Sequence, residues 1–387
     1  MRRLLLLVCA IVLADTILYA ALAPLLPHYS DEYMLSKGEA GLLAGAYAAG
    51  AFVAALPAGL AAARFGPRRI VLGGLVLMAV ASVAFGFADS ALALGLSRLA
   101  QGIGSALSWT GGLAWLVAGT PRERRGEMIG TAMGAAIFGA LLGPAVGAFA
   151  EGLGPRPTFS AIAAISALLI GWALRTAPTP ADPQPARAYL DALRERVILG
   201  ALWLIVLPAA LFGAIAVLIP LQLGAAGWSA AAIAAAFIGA AAIEMVIAPL
   251  WGRFSDRRGR LLPLRVALGG GIAVTSALAV AGRPEVIVSL LVVTAVTFAA
   301  FWAPAMALLA DGAERMGLAQ GLAFGLLNAS WGAGNSVSPP LAGALADLAG
   351  DALPYGLMAL ACTVTLVALT RGRHALGTPL ARVPESP

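Results

Sequence analysis

Three ionisable side chains, Asp15, Arg98 and Glu244, fall deep inside long apolar runs of this 387-residue chain. A charge carried to the centre of a bilayer costs roughly 2.5–3.5 kcal/mol on insertion scales, so each is a functional candidate by default. Asp15 lies about 16 Å into its run at 1.5 Å per helical residue. An acid there is suited to carry a proton, because removal from water disfavours the charged form of a carboxylate and a nearby arginine favours it. Arg98 is suited to pair with such an acid or to hold an anionic group of a substrate; its structural alternative is a bond to backbone carbonyls. Glu244 reads three ways: a second proton site, a counter-charge for a cation, or an acid reaching the interface beside Arg253.

Polar and aromatic residues share faces with these charges. Gln101, Ser105 and Ser108 follow Arg98 at +3, +7 and +10, with Trp109 alongside, which stripes one side of a 3.6-residue helix. A second stripe runs Asn328, Trp331, Asn335 and Ser338 at the same spacing. Together with Tyr19, Tyr47, Gln222, Phe237 and Trp302, these residues are candidates for a central cavity of amide and aromatic groups, suited to an amphipathic or cationic organic molecule. The competing role for the aromatics is packing between helices or in the interfacial belts.

The elements that must position them are membrane helices. Hydrophobic residues make up 60% of the chain and charged residues 11%, where a soluble domain carries about 25% charged. Apolar runs of 18 or more residues recur, each able to cross a hydrocarbon core of about 30 Å. Twelve spans are predicted: 4–28, 39–63, 69–88, 90–118, 126–151, 157–175, 197–223, 228–251, 262–282, 284–310, 318–346 and 352–370. The fold class is all-α and polytopic. The run length excludes a porin-like barrel. The first span imitates a secretory signal, but Asp15 interrupts it.

With both termini on one side, the segments on that side carry 21 of the 25 basic residues, the opposite loops only Lys37, Arg156 and Arg283, and Arg98 lies within a span. That asymmetry predicts cytoplasmic termini in an inner or plasma membrane. It also explains the basic balance through anionic lipid rather than nucleic acid. Cys9 and Cys362 are isolated, and so are His28 and His374. No metal set, nucleophile–base spacing or nucleotide-binding loop is present, so neither a cofactor nor enzyme chemistry is expected.

The polar, proline-rich segment 176–196 divides the chain into a six-span half over 1–175 and another over 197–387, the latter ending in a short cytoplasmic tail; 176–196 itself reads as a cytoplasmic linker. The halves echo each other. Pro27 follows Asp15 by twelve residues, as Pro220 follows Pro208. The turn "GLAAARFGPRR" (Gly59–Arg69) answers "GRFSDRRGRLL" (Gly252–Leu262). Glycines 126, 130 and 134 match 317, 321 and 325, and "GPAVG" (Gly143–Gly147) matches "PPLAG" (Pro339–Gly343). Duplicated halves around a midplane site are a recurring transporter design. Gly139, Gly143 and Gly147, every fourth residue, predict a flat helix side for close packing, and Pro144 beside them allows a bend.

On these residues the chain resembles the major facilitator superfamily. Gly59, Arg64, Gly66 and Arg68 resemble the family's G-x-x-x-D-R-x-G-R-R turn, repeated as Gly252, Asp256, Arg257 and Gly259. "RLAQGIGSA" (Arg98–Ala106) resembles its R-x-x-Q-G-x-G-x-A motif, and "GALLGPAVGA" (Gly139–Ala148) the G-x-x-x-G-P-x-x-G-G motif associated with twelve-span proton-coupled exporters, drug and tetracycline antiporters among them. The resemblance implies a twelve-helix secondary transporter of two rocking halves, exchanging protons for a small organic compound, with Asp15 as proton carrier tuned by Arg98 and the glycine-rich turns as gates. The first turn departs from the pattern: Ala63 stands where the family has Asp, whereas the second keeps Asp256. The partners implied are a small-molecule substrate, protons and the bilayer, with the monomer as the functional unit. Alternatives on the same fold are metabolite export or uptake symport; an alternative of another class is a membrane sensor or assembly factor.

Overall fold

The computed structural model describes residues 2–121, 124–180, 187–318 and 320–371. Their regular structure is helical: α1 (Arg2–Ala20), α2 (Leu22–Glu32), α3 (Lys37–Phe65), α4 (Pro67–Gly86), α5 (Ala91–Ala118), α6 (Arg125–Leu153), α7 (Pro155–Leu174), the short α8 (Arg187–Ala192), α9 (Arg196–Ala225), α10 (Ala230–Arg258), α11 (Leu261–Ala279), α12 (Pro284–Arg315), α13 (Gln320–Ala349) and α14 (Ala352–Arg371). With α1 and α2 taken as one span, ten of these are long and apolar enough to cross a membrane. The other two long helices are α5 and α13, of 28 and 30 residues. They carry the two polar stripes and lie inside the bundle. The molecule is therefore a twelve-span, all-α membrane protein, and its two least apolar spans are central ones.

One span departs from the sequence reading. Residues 4–28 read as one run, but the helix breaks at Ala21. Pro24 has no N–H to bond the carbonyl of Ala20 four residues back, and its ring crowds that carbonyl. The boundaries of the other spans lie within three residues of the predicted ones, except the ends of α10 and α12, which run seven and five residues further. Local chemistry explains many of them. Ser36 and Glu39 form a reciprocal capping box at the start of α3. Ser90 and Ser229 cap α5 and α10. Gly66 and Gly259 make the equivalent turns of the two halves at φ +85° and +80°, a backbone region costly for residues with a Cβ.

The duplication seen in the sequence is a duplication of packing. In the first half α1 lies on α6, α3 and α4 flank α5, and α4 lies on α7. In the second, α9 lies on α13, α10 and α11 flank α12, and α11 lies on α14. The halves meet along α3 and α13, α6 and α10, and α2 and α9. One apolar core lies within the second half, around Leu211, Phe298 and Phe301. Two more lie mainly within the first, around Trp115 and around Phe85. We call the face holding the start of α1 and the segment α8 the terminal face, and the opposite one the distal face. Part of the expected linker (181–186) and the expected tail (372–387) lie outside the described residues.

Candidate functional site

Asp15 is 3% exposed, and its carboxylate accepts three hydrogen bonds from two other helices. The Tyr47 hydroxyl of α3 donates to Oδ1 at 2.8 Å. Ser105 Oγ and Trp109 Nε1 of α5 donate to Oδ2 at 2.9 and 2.6 Å. Three donors within reach of one carboxylate offset much of the cost of removing it from water.

Arg98 is 1% exposed and occupies the break in span 1. Its Nη1 donates to the carbonyl of Leu18 at 3.0 Å and to Gln101 Oε1 at 3.1 Å, and Nη2 donates to the carbonyl of Tyr19 at 3.2 Å. The guanidinium also lies over the ring of Tyr47, 4.7 Å from its centroid. The arginine thus serves backbone carbonyls beside the break made by Pro24. It forms no ion pair with Asp15: Tyr47 stands between them, its hydroxyl on the acid and its face on the cation. Nε of Arg98 is buried without a partner among the described residues.

Glycines bring these helices close enough. A Cβ on Gly102 would collide with the backbone of Tyr47, and one on Gly104 would lie 2.9 Å from the carbonyl of Gly74 in α4. The two motif glycines therefore seat α5 against both neighbours and place Arg98, Ser105 and Trp109 at Tyr47 and Asp15. From the other side, α6 grips span 1. A Cβ on Gly139 would sit 2.7 Å from the Leu13 carbonyl, on Gly143 2.9 Å from that of Ile17, and on Gly147 2.6 Å from Pro24 Cγ. Pro144 is buried on the same helix, which runs unbroken from 125 to 153. Glycines 126, 130 and 134 of α6 face open space instead.

The cluster reaches the second half through Tyr19. Its hydroxyl donates to Asn335 Oδ1 at 3.1 Å, and its ring packs on Trp331 and Tyr47 with centroids 5.1 and 5.3 Å apart. Asn328 crosses the same interface, donating to Thr110 Oγ1 at 3.3 Å. Trp302 stacks near Phe212 in the second half, and Phe237 packs against that half's core. Glu244 is half-buried and shares a helix stripe with Ile233, Phe237, Ala240 and Trp251; among the described residues it makes no hydrogen bond or ion pair.

The two glutamine candidates take different places. Gln101 is fully buried between α5 and α4, accepting from Arg98 and facing Ser82 Oγ at 3.5 Å. Gln222 lies at the distal face, where it donates to Asp351 at 2.9 Å and accepts from Tyr355 at 3.3 Å. Gln222 is the penultimate residue of the predicted span 197–223, and the structure likewise places it near the end of α9. The turn motifs brace each half internally. Arg68 donates to the carbonyls of Ala173 and Leu174 at the end of α7, while Arg260 pairs with Asp311 of α12. Arg64 is exposed and lies 5.4 Å from the ring of Phe65. Gly59 lies near the end of α3, Gly252 faces open space, and Arg257 is exposed. The side chain of Asp256 lies outside the described residues. Sequence reasoning missed Tyr47's bridging place and the two glycines that allow it; the R-x-x-Q-G-x-G-x-A motif was the available signal.

A family model described as the Major Facilitator Superfamily matches residues 5–324. The chain belongs to that superfamily. Among solved superfamily-like folds, a D-xylose–proton symporter superimposes with a TM-score of 0.76 over 95% of this chain and 96% of its own, at 18% identity. The human organic anion transporter MFSD10 does so with 0.74 over 95% and 99%, at 17% identity. At such identity the likeness concerns the fold. Curated relatives include the MFS-type transporter ppzB of Metarhizium rileyi, 31% identical over 45% of this chain and 37% of its own length. Multidrug resistance protein 2 of Bacillus subtilis is 28% identical over 38% of this chain and 37% of its own. The chain thus spans little more than a third of the length of these curated relatives.

Proposed function

We propose that this superfamily member is a secondary active transporter that exports a small organic compound in exchange for protons, with Asp15 as the proton-carrying group. The observation that carries the reading is the buried carboxylate of Asp15, bonded by Tyr47, Ser105 and Trp109 and one tyrosine away from Arg98. An acid in that position is inaccessible from either face until helices move, which is what coupling of a proton to alternating access requires. Tyr19 makes the loading of that site felt in α13, because it touches Tyr47 on one side and Asn335 and Trp331 on the other. Aromatic and amide groups beside an acid suit a cationic or amphipathic cargo, and one relative is named for multidrug resistance. In this reading the terminal face is cytoplasmic, segment 176–196 links the halves there, and one chain suffices.

The test uses purified protein in liposomes with an imposed pH gradient and ethidium as the probe cation, with D-xylose as the contrasting neutral probe. Proton-driven ethidium movement is expected for the parent and absent for Asp15→Asn, which keeps the side chain's shape but cannot release a proton. Equal proton-driven movement by both proteins overturns the assignment of Asp15. Movement of D-xylose down the proton gradient, without ethidium exchange, replaces antiport with symport. Orientation has its own check: a cysteine at Asp191, exposed in α8, is expected to resist an impermeant maleimide added to intact cells.

A further inference from the structure

At the distal face, helix α3 of the first half begins against the end of α13 of the second. The first-turn N–H groups of a helix have no partner within it. Two of those of α3 are taken by the opposite half: Lys37 N donates to Asp347 Oδ1 at 3.1 Å and Gly38 N to Asp347 Oδ2 at 2.8 Å. The carboxylate also meets the positive end of the helix dipole. The Lys37 ammonium reaches past it to Asp351 Oδ1 at 2.5 Å, and Asp351 Oδ2 is held by Gln222. Close packing continues down the seam. A Cβ on Gly38 would lie 3.4 Å from Ala344 Cβ, and one on Gly41 2.7 Å from the Pro339 carbonyl carbon. Beside the seam a crevice of about 280 Å³ is lined by Lys37, Gln222 and Asp351.

We propose that Asp347 and the Lys37–Asp351 pair form a two-part latch between the halves, and that the closed distal face depends on it. Asp347 is its principal member. It accepts from two backbone donors at the start of α3, which lose that partner when α3 and α13 part. Asp347 is exposed and the Lys37–Asp351 pair is 35% and 26% exposed, so exposure does not rank them; Lys37–Asp351 is the weaker member because it is a single ion pair between side chains, whereas Asp347 holds two backbone N–H groups at a helix start. The inference concerns the movement of the halves and holds whatever the cargo, its direction or the coupling ion.

The experiment needs no substrate. Spin labels are placed at Asp89 and Val280, exposed at the distal face of the first and second halves, in a Cys9→Ala, Cys362→Ala background, and distance distributions are recorded in lipid nanodiscs. Asp347→Ala is expected to raise the ratio of long to short distances by roughly 2- to 30-fold, the range that loss of a helix N-cap carries. Lys37→Gln is expected to raise it by no more than about 5-fold, as for an exposed ion pair. A second reporter guards against misfolding. Cysteines at Gly38 and Ala344 stand within disulfide reach, and their oxidation, counted as loss of thiols reactive to a polymer-tagged maleimide, should be fast in the parent and slowed by Asp347→Asn. Unchanged distances together with unchanged oxidation rates overturn the latch. So does an effect of Lys37→Gln larger than that of Asp347→Ala, which would make the exposed pair the principal contact.

Discussion

Asp15 sits twelve residues before Pro27 in the first span; the residue twelve before Pro220 in α9 is Pro208. Around Asp15 are Tyr47, Ser105, Trp109, Arg98 and Gln101, all hydrogen-bonded. The corresponding region of the second half holds Phe212, Phe298 and Phe301, with ring centroids 5.3 and 6.0 Å apart. The eighth residue of α5 is Arg98, and the eighth of α12 is Leu291, which is buried in the apolar core. The same packing of helices therefore supports a polar network in one half and an aromatic core in the other. Duplication supplied the scaffold twice. Among the described residues the fully buried charges, Asp15 and Arg98, are kept in one copy; on the proposed function that half would register the proton, and Asn335 and Trp331 of the other half would respond to it through Tyr19.

The sharpest way to break this comparison is to remove the acid from each half. Asp15→Asn is expected to reduce proton-driven transport to background. Glu244→Gln, in a side chain with no bonded partner among the described residues, is expected to leave most of it, within several-fold of the parent. Equal loss in the two variants would mean that the second half shares the proton chemistry. A smaller but still large effect is expected at Gly143. Leucine there would drive atoms into Ile17 and Ala20, an overpacking that costs typically 1–3 kcal/mol and here also obstructs movement of span 1. Transport should fall much further for Gly143→Leu than for Gly134→Leu, whose added side chain meets open space; equal transport would show that the glycine grip on span 1 is dispensable. The effect of Arg98→Ala is read on folding, with the smallest expected change in transport. It frees the carbonyls of Leu18 and Tyr19, and hydrogen bonds to charged groups are worth about 1.5–3 kcal/mol each. A lowered melting temperature, partly restored in Arg98→Lys, is expected by scanning fluorimetry. An unchanged melting temperature would detach Arg98 from the break in span 1.

Much of this was legible in the chain itself, for reasons that are local. A run of 18 apolar residues is a span by length alone, and a residue deep within such a run is deep in the membrane. The stripe from Arg98 to Ser108 follows from 100° per residue, and the glycines of α6 from their fourfold spacing. Two sets of partners could not be read this way. The end position of Gln222 follows from its span, but its partners Asp351 and Tyr355, from the far end of the chain, do not. Arg98 and Asp15 invited a direct ion pair, and the packing put Tyr47 between them.

By itself the sequence determined twelve spans, their duplication and the depth of Asp15 and Arg98, because each depends on periodicity and backbone chemistry within one helix. The tertiary structure alone decided that Arg98 answers the carbonyls beside the break in span 1, that Tyr47 separates it from Asp15, and that Asp347 caps a helix lying 310 residues away in the chain from its own position. Those pairings depend on the rotation and approach of one helix against another. Glycines and prolines scattered across the chain set these at the contact surfaces, and no pattern along a single helix records them.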